Sequence, residues 1–185
     1  SQANPSGEGD SQWLYFKIRL GENPALFKDQ KPTYGIEIDV DLNGRGDYLI
    51  STGVPAAKNW SVESVQVFTD ANKNVGSLTP IASDEDGDKG DGYVLLLFDA
   101  GQGIDPDLAW SRMDPEIPNT VEIAVKLNLV GSDDRQIFLW GAFAANGQNG
   151  KIIFDPNDQF TLAEAGSPLK ELSAYYPLKA FYAFD

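Results

Sequence analysis

Between Asp39 and Asp47 the chain reads DVDLNGRGD, which sets oxygen-bearing side chains at alternate positions of a short turn. The order Asp39-x-Asp41-x-Asn43-Gly44 is that of a calcium loop. A hard divalent cation takes about six to eight oxygen ligands, and alternate residues of a tight loop can aim theirs at one centre. Gly44 allows the sharp bend at the sixth position, Arg45 offers its backbone carbonyl, and Asp47 is a later ligand, directly or through water. The twelfth position is Ile50 rather than a bidentate Glu, and the flanking residues are strand-like. The loop therefore resembles the calcium-binding hairpin loops of extracellular β-proteins rather than an EF-hand. Its bland alternative is a solvated Asx-rich turn.

A second acidic knot, SDEDGDKGDGY, gathers Asp84, Asp86, Asp88 and Asp91 with Glu85 between them. Unneutralised carboxylates at turn distances repel one another, and a cation relieves that repulsion. A solvated loop tolerates the same charge, and the spacing is less regular here. Arg45-Gly46-Asp47 is also an RGD tripeptide, but this aspartate is better used as a metal ligand.

The third group is aromatic. Trp13 and Tyr15 fall on the polar side of WLYFKIRL, opposite Leu14, Phe16, Ile18 and Leu20, beside Lys17 and Arg19. Rings on an outer sheet face can stack on the apolar faces of sugars while neighbouring charged groups bind hydroxyls. Trp60 and Trp110 stand near loops and could join them. The alternative is that the chain's own tail or a neighbouring subunit covers these rings.

Composition narrows the chemistry. The 185 residues carry 28 acidic against 14 basic side chains, a net charge of −14, which disfavours nucleic acid and anionic membranes as partners. There is no Cys and no His, so disulfides, Cys/His zinc sites and Ser-His-Asp or Cys-His catalysis are excluded. Acidic residues abound, but nothing singles out two of them as an acid/base pair, so a non-enzyme is expected. No apolar run approaches the ~20 residues a membrane helix needs. The opening SQANPSGEGD has neither Met nor an apolar core segment and reads as the start of a processed chain.

These groups need elements to position them. Residues 1–12 are polar and read as a leader or linker, with one β-domain over 13–185. Period-two alternation predicts strands at Trp13–Leu20, at Tyr34–Val40, with Glu37 and Asp39 outward, at Val62–Thr69 and at Thr120–Val130. DYLIST after the acidic turn completes a hairpin. Tyr93–Asp99 and Gln136–Ala145 are apolar on both faces, as central strands are, and need a cover: the C-terminal segment or another protein. KIIFD and LKAFYAF add two short strands, and the one helical hint, TLAEAGSPLKELSAYY, is broken by Gly166-Ser167-Pro168. The expected fold is an all-β antiparallel sandwich of jelly-roll type, with a closed barrel as the alternative.

WLYFKIRL, IEIDVDLNGRGD, VEIAVKL and IFLWGAFA, taken in order, resemble bacterial exported β-sandwich domains, which are similar to family 9 carbohydrate-binding modules and DOMON-type domains. Leu14 to Leu20, Ile38 to Asp47 and Val121 to Leu127 fill the matching places, with Lys126 standing where that group carries a proline. The resemblance implies export and hints at carbohydrate. The leading expectation is thus a secreted or cell-surface, Ca2+-stabilised binding or adhesion module for carbohydrate. The alternative is a structural subunit of an extracellular filament or sheath that assembles with neighbouring subunits by strand addition.

Overall fold

In the first strand, β1 (Trp13–Arg19), residues alternate between buried and solvent-facing, as the sequence pattern predicts. The computed structural model describes residues 5, 12–41, 46–70, 93, 95–131, 137–146 and 180–182. Among these, β1 is followed by a short 3-10 helix, Pro24–Gln30, then β2 (Pro32–Asp39), β3 (Tyr48–Thr52) and β4 (Val65–Thr69). Next come β5 (Leu95–Asp99), β6 (Gln102–Gly103), β7 (Ala109–Met113), β8 (Thr120–Lys126), β9 (Ile137–Asn146) and β10 (Ala180–Tyr182). The 3-10 helix was not expected, although its signals are local: Asn23 accepts a hydrogen bond from the Ala25 amide at 3.0 Å and Pro24 opens the turn.

The strands form two antiparallel sheets, a small one ordered β1-β8-β7 and a large one ordered β10-β9-β2-β3-β4-β5-β6. The chain is an antiparallel β-sandwich, and the described strands do not close into a barrel. It crosses between sheets after β1, after β6 and after β8. The predicted hairpin is present, with Ile38 opposite Tyr48 and Tyr34 opposite Thr52.

The core lies between the sheets. Leu14, Phe16, Val121, Ile123 and Val125 of the small sheet meet Ile36, Ile38, Ile50, Val65, Val67 and Phe138 of the large one. Burying each such side chain stabilises the fold by roughly 1.5–3 kcal/mol. Phe16 meets Trp140 edge-on across the gap, ring centres 5.2 Å apart. Polar contacts cross it too: the Thr52 and Ser111 hydroxyls are 2.9 Å apart.

Four expectations change. Glu37 and Asp39 lie on the outer face of the large sheet but are buried, at 1% and 0% exposure, because that face is covered there. β5 is not a central strand: its neighbour on one side is the two-residue β6, and Leu95 and Leu96 are 49% and 44% exposed. β7 was missed, because AWSRM turns Ala109 and Ser111 rather than large apolar residues inward. The segment 127–129 is a 3-10 turn rather than the end of a strand. The C-terminal segment contributes β10 to the edge of β9, with Phe181 opposite Phe138. Asn43, Arg45, Asp84, Asp86, Asp88, Asp91, KIIFD and the broken helical stretch lie outside the described residues. Among the described residues no helix is long and apolar enough to cross a membrane.

Candidate metal centre and ligand-binding face

The end of β2 and the start of β3 bring Asp39, Asp41 and Asp47 together, with one carboxylate oxygen from each lying within 4.8 Å of the others. Asp39 and Asp47 are buried and Asp41 is exposed. Asp47 also holds the turn. Its Oδ2 accepts the Val40 amide at 2.7 Å and the Asp41 amide at 3.3 Å, and its own amide donates to the Ile38 carbonyl at 2.8 Å. The Thr69 hydroxyl donates to the Asp47 carbonyl at 2.8 Å, which fixes the turn to the end of β4. The donor set is all oxygen and anionic, which suits a hard cation such as Ca2+ rather than a soft one.

Glu37 was not foreseen as part of this end of the sheet. It lies two residues before Asp39, on the same side of β2, and the Tyr93 hydroxyl donates to its Oε1. Burial raises the Glu37 pKa well above the ordinary carboxylate range. The Tyr93 hydrogen bond opposes that rise, and the charges of Asp39 and Asp47 add to it. Glu37 is thereby pushed towards its neutral form beside the aspartates. Tyr93 belongs to the second acidic knot, so the one described residue of that segment lies over β2.

The outer face of the small sheet carries the aromatic group. Tyr15 is 54% exposed and its ring lies 5.9 Å from that of Trp60, tilted by 53°. The Arg112 guanidinium sits 4.4 Å over the Trp60 ring. Tyr15 is on β1 and Arg112 on β7, so Trp60 spans the central strand β8 and helps to bury Glu122 and Ala124 beneath it. Trp110, opposite Ala124, is half-buried and donates its indole N–H to the Asp107 carbonyl at 3.1 Å. Trp13 is half-buried opposite Lys126.

Of the leader, Pro5 is described and buried, and the Tyr15 hydroxyl donates to its carbonyl at 2.8 Å. Burial, partly offset by the Arg112 charge, raises the Tyr15 pKa, which keeps this donor protonated. The contact orients Tyr15 without hiding it, since about half of the residue stays exposed.

Charges sit beside and beneath the rings. Glu122 is buried between Lys17, 2.6 Å from its Oε1, and Arg112, whose Nε pairs with its Oε2. Lys17 also reaches Asp114 at 2.9 Å, and its hydrogen bonds to Glu122 and Asp114 raise its pKa. Lys126 pairs with Asp105 at 2.6 Å and with Asp107. Burial lowers the Lys126 pKa, but the hydrogen bonds to the two aspartates outweigh it and the net shift is upward.

Comparison with protein families, with characterised proteins and with solved structures found no match to this chain.

Proposed function

We propose that the protein is a secreted or cell-surface β-sandwich, stabilised by Ca2+ at Asp39, Asp41 and Asp47, that binds carbohydrate on the outer face of its small sheet. The observation that carries this reading is the exposed Tyr15 ring beside Trp60, held on a rigid sheet by Pro5 and Arg112. Sugar C–H groups pack on ring faces, and the adjoining Lys17 and Arg112 donors suit hydroxyls. Both rings are locked by contacts already present, so little conformational freedom is lost on binding. Isothermal titration with a panel of soluble polysaccharides tests the reading. Tyr15→Ala and Trp60→Ala are each expected to weaken binding about tenfold or more, a loss of ~1.4 kcal/mol. A wild-type chain that binds none of the panel removes the proposal.

A second reading, a structural subunit, is favoured by Leu95, Leu96 and Ile104 at the β5–β6 edge, which are 49%, 44% and 103% exposed. An apolar, open edge is a site for strand addition by another copy. Light scattering at rising concentration reads this directly, and a strictly monomeric particle with and without calcium sinks it.

A further inference from the structure

The chain is strongly acidic, yet the cations among its described residues are not spread evenly. Seven lysines and arginines are among the described residues, and Lys28 and Lys31 alone lie away from the small sheet, on the 3-10 helix and at its end. Lys17, Arg19, Arg112 and Lys126 come from β1, β7 and β8, while Lys58 reaches the Pro115 carbonyl just past β7 at 3.2 Å. The carboxylates that answer Lys17 and Arg112 lie deeper, whereas Lys126, its side chain 11% exposed, lies deeper than its partner Asp105 at 29%. The Glu122 and Asp114 side chains are 5% and 3% exposed, against 54% for Lys17. Arg19, exposed in line with Tyr15 and Lys17 on β1, makes no ion pair among the described residues. Glu22, just after Arg19, and Glu116 and Glu63, on the flanking turns, are the exposed carboxylates nearest in sequence to these groups among the described residues. A ligand resting on Tyr15 and Trp60 therefore meets ammonium and guanidinium groups first.

We propose that the ligand is an acidic polysaccharide, one with a carboxylate on its sugar units, laid over Tyr15 and Trp60 so that these stack on rings while Lys17 and Arg19, farther along β1, take carboxylates. This rests on the sugar-platform reading above. The net charge does not forbid it. Facing sheets lie ~10 Å apart, and Asp39 and Glu37 lie on the far side of the large sheet, so the acidic end is farther from such a ligand than Lys17 and Arg19 are. Each exposed ionic contact is weak on its own, but a polymer repeats its carboxylate and gains through multivalency. The 53° tilt between the two rings fits a soluble, twisting chain rather than a flat crystalline surface, which needs coplanar rings.

The test is titration of the full chain, at physiological salt, with soluble polygalacturonate and with the same polymer after reduction of its carboxyl groups to alcohols. Polyglutamate is the non-sugar polyanion. Polygalacturonate is expected to bind at least about tenfold tighter than its reduced form, to weaken as salt rises, and to lose affinity in Arg19→Gln and in Tyr15→Ala. Arg19 makes no ion pair among the described residues, so Arg19→Gln keeps the test clear of folding defects that Lys17→Gln could introduce. Equal, Tyr15-dependent binding of both polymers overturns the acidic preference and leaves the sugar platform standing. Equal binding of polyglutamate, unchanged in Tyr15→Ala, overturns it in favour of a bare basic patch. Binding of none of the three by a folded chain overturns both.

Discussion

At Gly46 the chain has no room for a side chain. A Cβ there would run into the Tyr93 hydroxyl and the Glu37 carboxyl, the hydrogen-bonded pair that lies over β2 beside the aspartates. Overpacking of this kind costs about 1–3 kcal/mol. Gly46→Ala is therefore expected to lower stability in urea unfolding by that amount. Part of the loss should be recovered in a Tyr93→Phe background, where the obstructing oxygen is gone. A fully additive pair of substitutions would show that the crowding is not with Tyr93. In the sequence Gly46 looks like the middle of an RGD tripeptide. Its structural reason is Tyr93, far along the chain, which no local pattern reveals.

The strands that carry the site are legible where one face is apolar and the other is not. Leu14, Phe16 and Ile18 in β1 and Val121, Ile123 and Val125 in β8 mark their core faces directly, and the acidic turn marks the β2–β3 hairpin. Glu37 was read as outward because alternation reports only which residues share a face, not whether the second face is covered. β7 is hidden because Ser111 earns its buried place by hydroxyl contacts with Thr52 and Ser64. Where β7 ends, Asp114 ties it to β1. Its Oδ1 accepts the Ile117 amide at 2.9 Å and the Glu116 amide at 2.8 Å, and its Oδ2 accepts Lys17. The Ile117 amide first, then Lys17 and the Glu116 amide, hold its pKa well below the ordinary carboxylate value of 3.8. A depressed carboxylate pKa contributes stability that is complete above the unfolded value and drains away as pH falls through the folded one. Melting of the wild type should thus fall between about pH 5 and pH 1. Asp114→Asn should be less stable at neutral pH and show a flatter curve in that window. Parallel curves for the two proteins would mean that Asp114 does not report folding.

For the molecule as a whole, the net charge of −14 and the clustered Asp39, Asp41 and Asp47 make a bound cation a stabilising counter-charge. An ion that binds only the folded state adds RT ln(1 + [L]/Kd), ~2.7 kcal/mol at a hundredfold excess over Kd. EDTA is expected to lower the melting temperature relative to millimolar calcium, with Mg2+ a poor substitute because it demands a tighter octahedron. Asp41→Ala should remove most of the difference. Identical melts in both buffers would make the turn a solvated acidic loop. The pairing of β1 with β8 sets a different constraint, one of time. These strands meet register by register although more than a hundred residues separate Trp13 from Lys126 and Arg19 from Thr120. Closing so long a loop comes before the reward of the contacts, and such topologies fold slowly. During synthesis β1 leaves the ribosome first and has no partner until β8 follows. The small sheet, and with it the Tyr15 face, can form only after β8 has been made.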